Sequence, residues 1–251
     1  MNRETRKRLY IFLALLALAI AAATFKSSIR RFISPVAGEF MNQQTVDQRL
    51  QQYGGAARAR MRPYFAEAHV SYPPRRVVLV GLKAEHELQL YAATAEASEG
   101  FIRSYSILAA SGMPCPKLRE GDMQVPEGIY PIELLNPNSL YHLSLRIGYP
   151  NAFDRAQAGK EGRTNLGGDI MIHGGAASIG CLAVGDEAAE DLFVLAADAG
   201  LENLTVILAP VDFRAGKNVP KVAKLPSWTD SLYQEIKTRL AALPLDKPDG
   251  R

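Results

Sequence analysis

The residues best suited to chemistry fall in one stretch, Gly167-Gly168-Asp169-Ile170-Met171-Ile172-His173-Gly174-Gly175-Ala176-Ala177-Ser178-Ile179-Gly180-Cys181. A thiol is only a few per cent thiolate near neutral pH. A neighbouring imidazole can take its proton or hold the thiolate as an ion pair. The apolar run Ile170-Met171-Ile172 predicts a strand that ends at His173. The glycines that follow allow a sharp turn, which would bring Cys181 back beside the ring. A Gly-rich turn also leaves backbone N–H groups able to face an oxyanion, and Ser178 is placed to orient the turn or the ring. A nucleophilic Cys181 should label with iodoacetamide well below pH 8, whereas an inert buried thiol should not. On residue types alone, a structural histidine near a structural cysteine stays open as the alternative.

Other chemistries have less to stand on. A zinc site needs three or four ligands, and the remaining histidines, His69, His86 and His142, show no ligand spacing. No Gly-x-Gly-x-x-Gly or Walker pattern supports a nucleotide. No metal and no cofactor are therefore expected. The second cysteine, Cys115, lies between two prolines; a disulfide to Cys181 would silence the nucleophile, so Cys115 is expected to be unpaired.

These side chains need a framework, and the 251-residue chain is long enough for one ordinary domain with extensions. The first 26 residues read as an export segment: Arg3, Arg6, Lys7 and Arg8 precede an uncharged run from Leu9 to Phe25, and Ala21-Ala22-Ala23 offers a cleavage site. A retained membrane anchor is the rival reading. Of the 29 basic and 26 acidic residues, five and one fall in this segment, leaving 24 against 25. The body therefore has no basic footprint for nucleic acid. Residues 27–71 read as a linker and a helical segment, with a Thr45/Gln48 capping box and apolar positions at Val46, Leu50, Tyr53, Ala57, Met61 and Tyr64.

From residue 72 to 213 the pattern changes to short strand-like runs: Val77–Val80, Leu88–Tyr91, Ile102–Leu108, Tyr141–Leu145, Ile170–Ile172 and Leu204–Leu208, punctuated by Gly and Pro clusters. This predicts a mostly β, α+β domain with a few peripheral helices. One helix is expected to start with Asp186 as its cap and to end at Gly200. Residues 214–251 form an extension with one helix, capped by Ser227 with Asp230 and apolar at Leu232, Ile236, Leu240 and Leu243.

His173-Gly174 followed by Ser178-Ile179-Gly180-Cys181 resembles the active-site motif of the L,D-transpeptidase (YkuD-type) catalytic domain, most closely its YafK-like branch. The resemblance runs from about Val77 to Phe213. It includes Pro116-Lys117-Leu118-Arg119-Glu120-Gly121-Asp122, Val125-Pro126-Glu127-Gly128-Ile129-Tyr130, Leu135–Ser139 and Gly148–Arg155. It implies a β-rich fold with Cys181 as nucleophile and His173 as base, acting on peptidoglycan stem peptides in the periplasm or cell envelope. It also implies that the Gly174 carbonyl holds the imidazole, and that the N–H groups of Gly180 and Cys181 face the oxyanion. Where the usual motif has a histidine before the Gly-Cys pair and an arginine two places after the cysteine, this chain has Ile179 and Ala183, and its His-to-Cys spacing is shorter.

Substrate contacts are expected from Tyr141, His142, Arg119, Asn151 and Asp154, each with a structural alternative; Arg155 is a further candidate for a carboxylate. The sequence is thus read as an exported cysteine-dependent acyl transferase, an L,D-transpeptidase. One alternative is an amide hydrolase of the same fold that detaches a lipoprotein from the peptidoglycan diamino acid. A wall-binding module without catalysis is another. The partners are stem peptides, such a lipoprotein, and the inner membrane if the first segment is retained.

Overall fold

The computed structural model describes residues 43–94, 98–222 and 224–245. The expected export segment 1–26 and the linker up to residue 42 fall outside the described residues. Helix α1 (Val46–Glu67) is followed by strands β1 (Arg76–Leu82), β2 (Glu87–Ala93), β3 (Gly100–Ser106), β4 (Ala109–Ala110), β5 (Gly128–Ser139) and β6 (His142–Ile147). Then come α2 (Ala152–Lys160), β7 (Ile170–His173), β8 (Leu182–Ala183), α3 (Asp186–Ala199), β9 (Leu204–Ala209) and α4 (Thr229–Ala241). This is the β-rich α+β architecture that the short strand-like runs predict.

All nine strands join one sheet in the order β3-β2-β1-β9-β5-β6-β7-β8-β4. Neighbours run antiparallel except for β1 with β9 and β7 with β8. The central strands are buried on both faces. Val77 and Leu79 of β1 enter one core with α1 and α3, whereas Val78, Val80 and Leu82 enter a second core with α4. A strand covered on both faces reads as a continuous apolar run, which is why Val77–Val80 shows no alternation.

The sequence reading passes over the longest strand, β5, because the Pro126–Gly128 cluster and Pro137 look like punctuation. Pro137 falls inside a register shift of the β5–β6 ladder, between Asn136 and Ser139. There its missing N–H costs no ladder bond.

The helix starts follow local chemistry. Thr45 and Gln48 form the reciprocal capping box expected of α1. Helix α3 begins differently: Gly185 is the N-cap, without a side-chain bond, and Asp186 is the first helical residue. Helix α4 starts at Thr229 behind Trp228, again with no side-chain cap, so Ser227 does not cap it. No helix among the described residues is long and apolar enough to cross a membrane.

Candidate active site

The parallel pair β7–β8 sets the geometry. Its register places Ile172 opposite Leu182 and His173 opposite Ala183. Ile172 and Leu182 are fully buried in the larger core. Alternation along a strand therefore turns Met171, His173 and the position just ahead of Leu182, Cys181, to the other face. Extending the register by one residue sets Cys181 opposite Met171, two positions from His173 on the same face.

His173 is only 3% exposed. Its Nδ1 lies 2.6 Å from the Gly174 carbonyl oxygen. Only a protonated Nδ1 can donate there, so in the neutral ring Nε2 keeps its lone pair. The Tyr141 ring covers one side of the imidazole, with centroids 4.8 Å apart and planes 30° from parallel. Gly174 can be nothing larger: a Cβ would meet Asp186 Oδ1 at 2.5 Å, the Tyr141 carbonyl oxygen at 2.8 Å and His142 Cβ at 2.9 Å.

The turn after Gly174 is fastened by a residue that sequence reasoning assigns elsewhere. Asp186 Oδ1 accepts the Gly175 N–H at 2.7 Å. The expected helix cap is instead a clamp on the turn at Gly174 and Gly175, and its carboxylate sits at the positive end of α3, where a negative charge is favoured.

The Cys181 thiol is held by backbone. The Met171 N–H donates to Sγ at 3.4 Å, and the S–H points to the Asp169 carbonyl oxygen at 3.7 Å. Burial pushes the thiol pKa up; the Met171 bond and the Lys117 ammonium work against that rise, and Asp169 adds to it.

The two amides expected to face an oxyanion are both engaged. The Gly180 N–H donates to Ser111 Oγ, and the Cys181 N–H to Ser178 Oγ at 3.0 Å. Ser178 in turn donates to the Cys181 carbonyl oxygen at 2.6 Å. Ser178 therefore orients the turn that carries the thiol and does not touch the ring in any recorded bond.

A groove of about 760 Å³ is lined by Glu120, Glu133, Arg146, Arg155, Asn165 and Asp169 among others, and Asp169 is the residue whose carbonyl faces the Cys181 thiol. It mixes charges: Arg146 lies 3.6 Å from Glu133 and 3.9 Å from Asp169. Arg119 is exposed and outside this lining, whereas Arg155 is part of it.

Asn151 and Asp154 are used within the fold. They form the reciprocal capping box of α2, and Asn151 Nδ2 also donates to the Ile129 carbonyl oxygen. Burial pushes Asp154 up to about 6. His142 has a supporting place too. Its backbone is left-handed, with φ 70°, and its Nε2 pairs with Glu190 of α3 at 3.0 Å while its ring packs edge-on against Tyr53. It anchors the turn that presents Tyr141.

The loop opposite is braced by a pair that the sequence reading did not single out. Lys83 Nζ bonds the carbonyl oxygens of Cys115 and Val125 and, at 2.9 Å, the buried Glu127. Cys115 and Cys181 are both free thiols. Among the described residues, no group of three or more His, Cys, Asp or Glu is arranged to hold a metal ion.

With this geometry in hand, the chain can be set beside known proteins. It is 40% identical over 113 residues to the Escherichia coli (strain K12) protein described as "Putative L,D-transpeptidase YafK". That stretch is 44% of this chain and 43% of the relative, so the chain matches less than half of that protein's length. No family model matches. Among solved structures, the helical cell shape determining protein Pgp2 of Campylobacter jejuni aligns with a TM-score of 0.46 at 18% identity, over 64% of this chain and 57% of that one. L,D-transpeptidase 1 of Mycobacterium tuberculosis aligns with a TM-score of 0.31 at 13% identity, over 53% and 61%. The likeness to YafK-type L,D-transpeptidases that the motif blocks carry is thus matched by direct sequence identity to a protein of that description.

Proposed function

We propose that this protein is an exported, cysteine-dependent acyl-transfer enzyme of the cell wall, built on residues 72–213 and acting on peptidoglycan stem peptides as an L,D-transpeptidase. One observation carries the reading. His173 spends its Nδ1 proton on the Gly174 carbonyl, which leaves Nε2 able to act as a base on the same sheet face as Cys181.

The chemistry follows from that arrangement. His173 Nε2 takes the thiol proton as Sγ attacks the carbonyl carbon of the third stem residue, a diamino acid. The amide C–N bond breaks, and the amine leaves with the proton returned by His173. A thioester remains on Cys181. An acceptor amine completes a transfer, or water completes a hydrolysis, with His173 again removing the proton. Arg155 and Arg146 are the groove residues suited to a substrate carboxylate, and Glu133 or Glu120 to an ammonium.

The position of Ala183 favours hydrolysis as a second reading. Where the usual motif has an arginine for the acceptor side, this residue is 0% exposed and offers no charge. A peptidoglycan-linked lipoprotein is then the amide to be cut.

The experiment incubates the full chain, with and without Cys181→Ala, with purified sacculi, some carrying attached lipoprotein. Products are read by mass spectrometry. New cross-links between diamino acids, or exchanged terminal residues, support transfer. Released lipoprotein with free tripeptide stems supports hydrolysis. Products unchanged by Cys181→Ala would remove both readings.

A further inference from the structure

Strand β8 has a different neighbour on each side. On one side β7 supplies the Met171 N–H that holds the thiol. On the other is β4, whose register sets Ala110 opposite Leu182. Extending that antiparallel register by one residue brings Ser111 opposite Cys181, and its hydroxyl oxygen receives the Gly180 N–H. Ser111 does not swing freely. Its hydroxyl proton goes to the Met123 carbonyl oxygen at 2.8 Å, and its own carbonyl oxygen accepts the Val125 N–H at 3.4 Å. The neighbouring Gly112, with φ 92°, leaves room for the Gln124 side chain, which a Cβ would meet at 1.4 Å. Gln124 bonds in turn to the Met113 N–H and to Cys115 Sγ, both at 2.6 Å.

An oxygen atom of the protein thus occupies one amide that the Cys–His reading assigns to the substrate oxygen. We infer that Ser111 is a latch on the oxyanion site: its hydroxyl fills the place at the Gly180 N–H that a tetrahedral oxyanion needs, and acylation of Cys181 must displace it. The inference rests on the Cys–His reading and adds to it a positioning residue that gates attack. Leaving Gly180 without a partner in the resting state would cost a buried amide its hydrogen bond. The latch satisfies that amide until substrate arrives.

The test separates a reaction that builds an oxyanion from one that does not. The full chain, Ser111→Ala and Ser111→Thr are each treated with p-nitrophenyl acetate and, separately, with iodoacetamide; Cys181→Ala supplies the background. In the ester reaction the Sγ–C bond forms, p-nitrophenolate leaves with the electron pair of the broken C–O bond, and the thiol proton passes to His173. Alkylation by iodoacetamide passes through no oxyanion. Ser111→Ala is expected to acetylate Cys181 roughly five- to tenfold faster than the unaltered chain, the size of one lost competing hydrogen bond, with alkylation unchanged. Ser111→Thr, which keeps the hydroxyl, should match the unaltered chain.

An equal change in both reactions would overturn the latch, because it would show only a more exposed thiol. Acetylation unchanged or slowed in Ser111→Ala would also overturn it. Cys181-dependent acetylation absent from every variant, with alkylation intact, would sink the Cys–His reading itself and the latch with it. If Ser111→Ala does not fold, Ser111→Gly, which also lacks the hydroxyl, takes its place with the same expected and overturning results.

Discussion

The backbone N–H of Met171 donates to Sγ of Cys181 across the parallel β7–β8 pair. A strand edge, not the imidazole, therefore fixes where the resting thiol points. His173 is oriented separately, through the Gly174 carbonyl. The imidazole and the thiol are set by two independent backbone contacts and share a sheet face.

This has a direct consequence for reactivity. Burial raises the Cys181 pKa, so the neutral thiol predominates at neutral pH. The rate of iodoacetamide labelling should rise with a midpoint at or above the usual free-thiol value of about 8.5. This replaces the expectation of labelling well below pH 8. Lys117 works to lower the thiol pKa, so Lys117→Met should move the midpoint upward. A midpoint below 7 in the unaltered chain would mean that a thiolate–imidazolium pair already exists.

Tyr141 stacks on His173 while nearly half exposed, at 45%. An aromatic contact of this kind contributes about 0.5–1.5 kcal/mol. Tyr141→Ala should lower Cys181-dependent turnover by roughly threefold to tenfold, and Tyr141→Phe should restore it. The imidazole resonances of His173 should move in Tyr141→Ala and stay near their original positions in Tyr141→Phe. Equal losses in both variants would assign the effect to the hydroxyl.

The pair of Lys83 with Glu127 is buried, with Glu127 1% exposed and also accepting the Tyr233 hydroxyl at 2.9 Å. Removing one partner of a buried pair costs about 3–5 kcal/mol. Urea unfolding of Lys83→Met should show a loss of this order. The double variant Lys83→Met/Glu127→Gln should recover part of it, since no stranded charge remains. A double variant no more stable than Lys83→Met would contradict the pairing.

Asp154 gives a pH signature to stability. Its folded-state pKa, raised by burial to about 6, lies above the ordinary carboxylate value of 3.8. The folded chain therefore holds this proton more tightly than the unfolded one. The contribution is present in full below pH 3.8 and is lost as the pH rises through about 6. Asp154→Asn keeps a cap acceptor but cannot titrate. Between pH 4 and pH 7.5, unfolding free energy of the unaltered chain should fall relative to Asp154→Asn by on the order of 2–3 kcal/mol. Parallel curves for the two proteins would refute the assignment.

Much of this site is visible in the sequence because strand and turn chemistry is local. The run Ile170–His173 forms β7, and the glycines after it occupy close-packed or left-handed positions, Gly174 and Gly175 among them. The partners that brace the site are not visible in the same way. Ser111 and Lys83 meet Gly180 and Glu127 only because the sheet brings distant segments together, and Asp186 meets Gly175 where α3 starts beside the turn after β7. No spacing rule connects residues 69 or 44 positions apart. Asp186 has the type and position of a helix cap, and local reasoning stops there. Asn151 and Asp154 show the reverse: polar residues in a turn suggest substrate contact, while their three-residue spacing already matches the capping box they form.

The place of β9 in the sheet bears on the order of assembly. Leu204–Ala209 slots between β1 and β5, pairing with strands that begin 128 and 76 residues earlier, at Arg76 and Gly128. Until that late segment is available, the three-stranded hairpin layer β1–β3 and the strands that carry His173 and Cys181 have no shared seam. A chain cut before Leu204 should remain open to protease along its length, because loop closure over such separations is repaid only when the last partner docks. The face that carries His173 and Cys181 is thus joined to the β1–β3 layer only when the last strand of the sheet has docked.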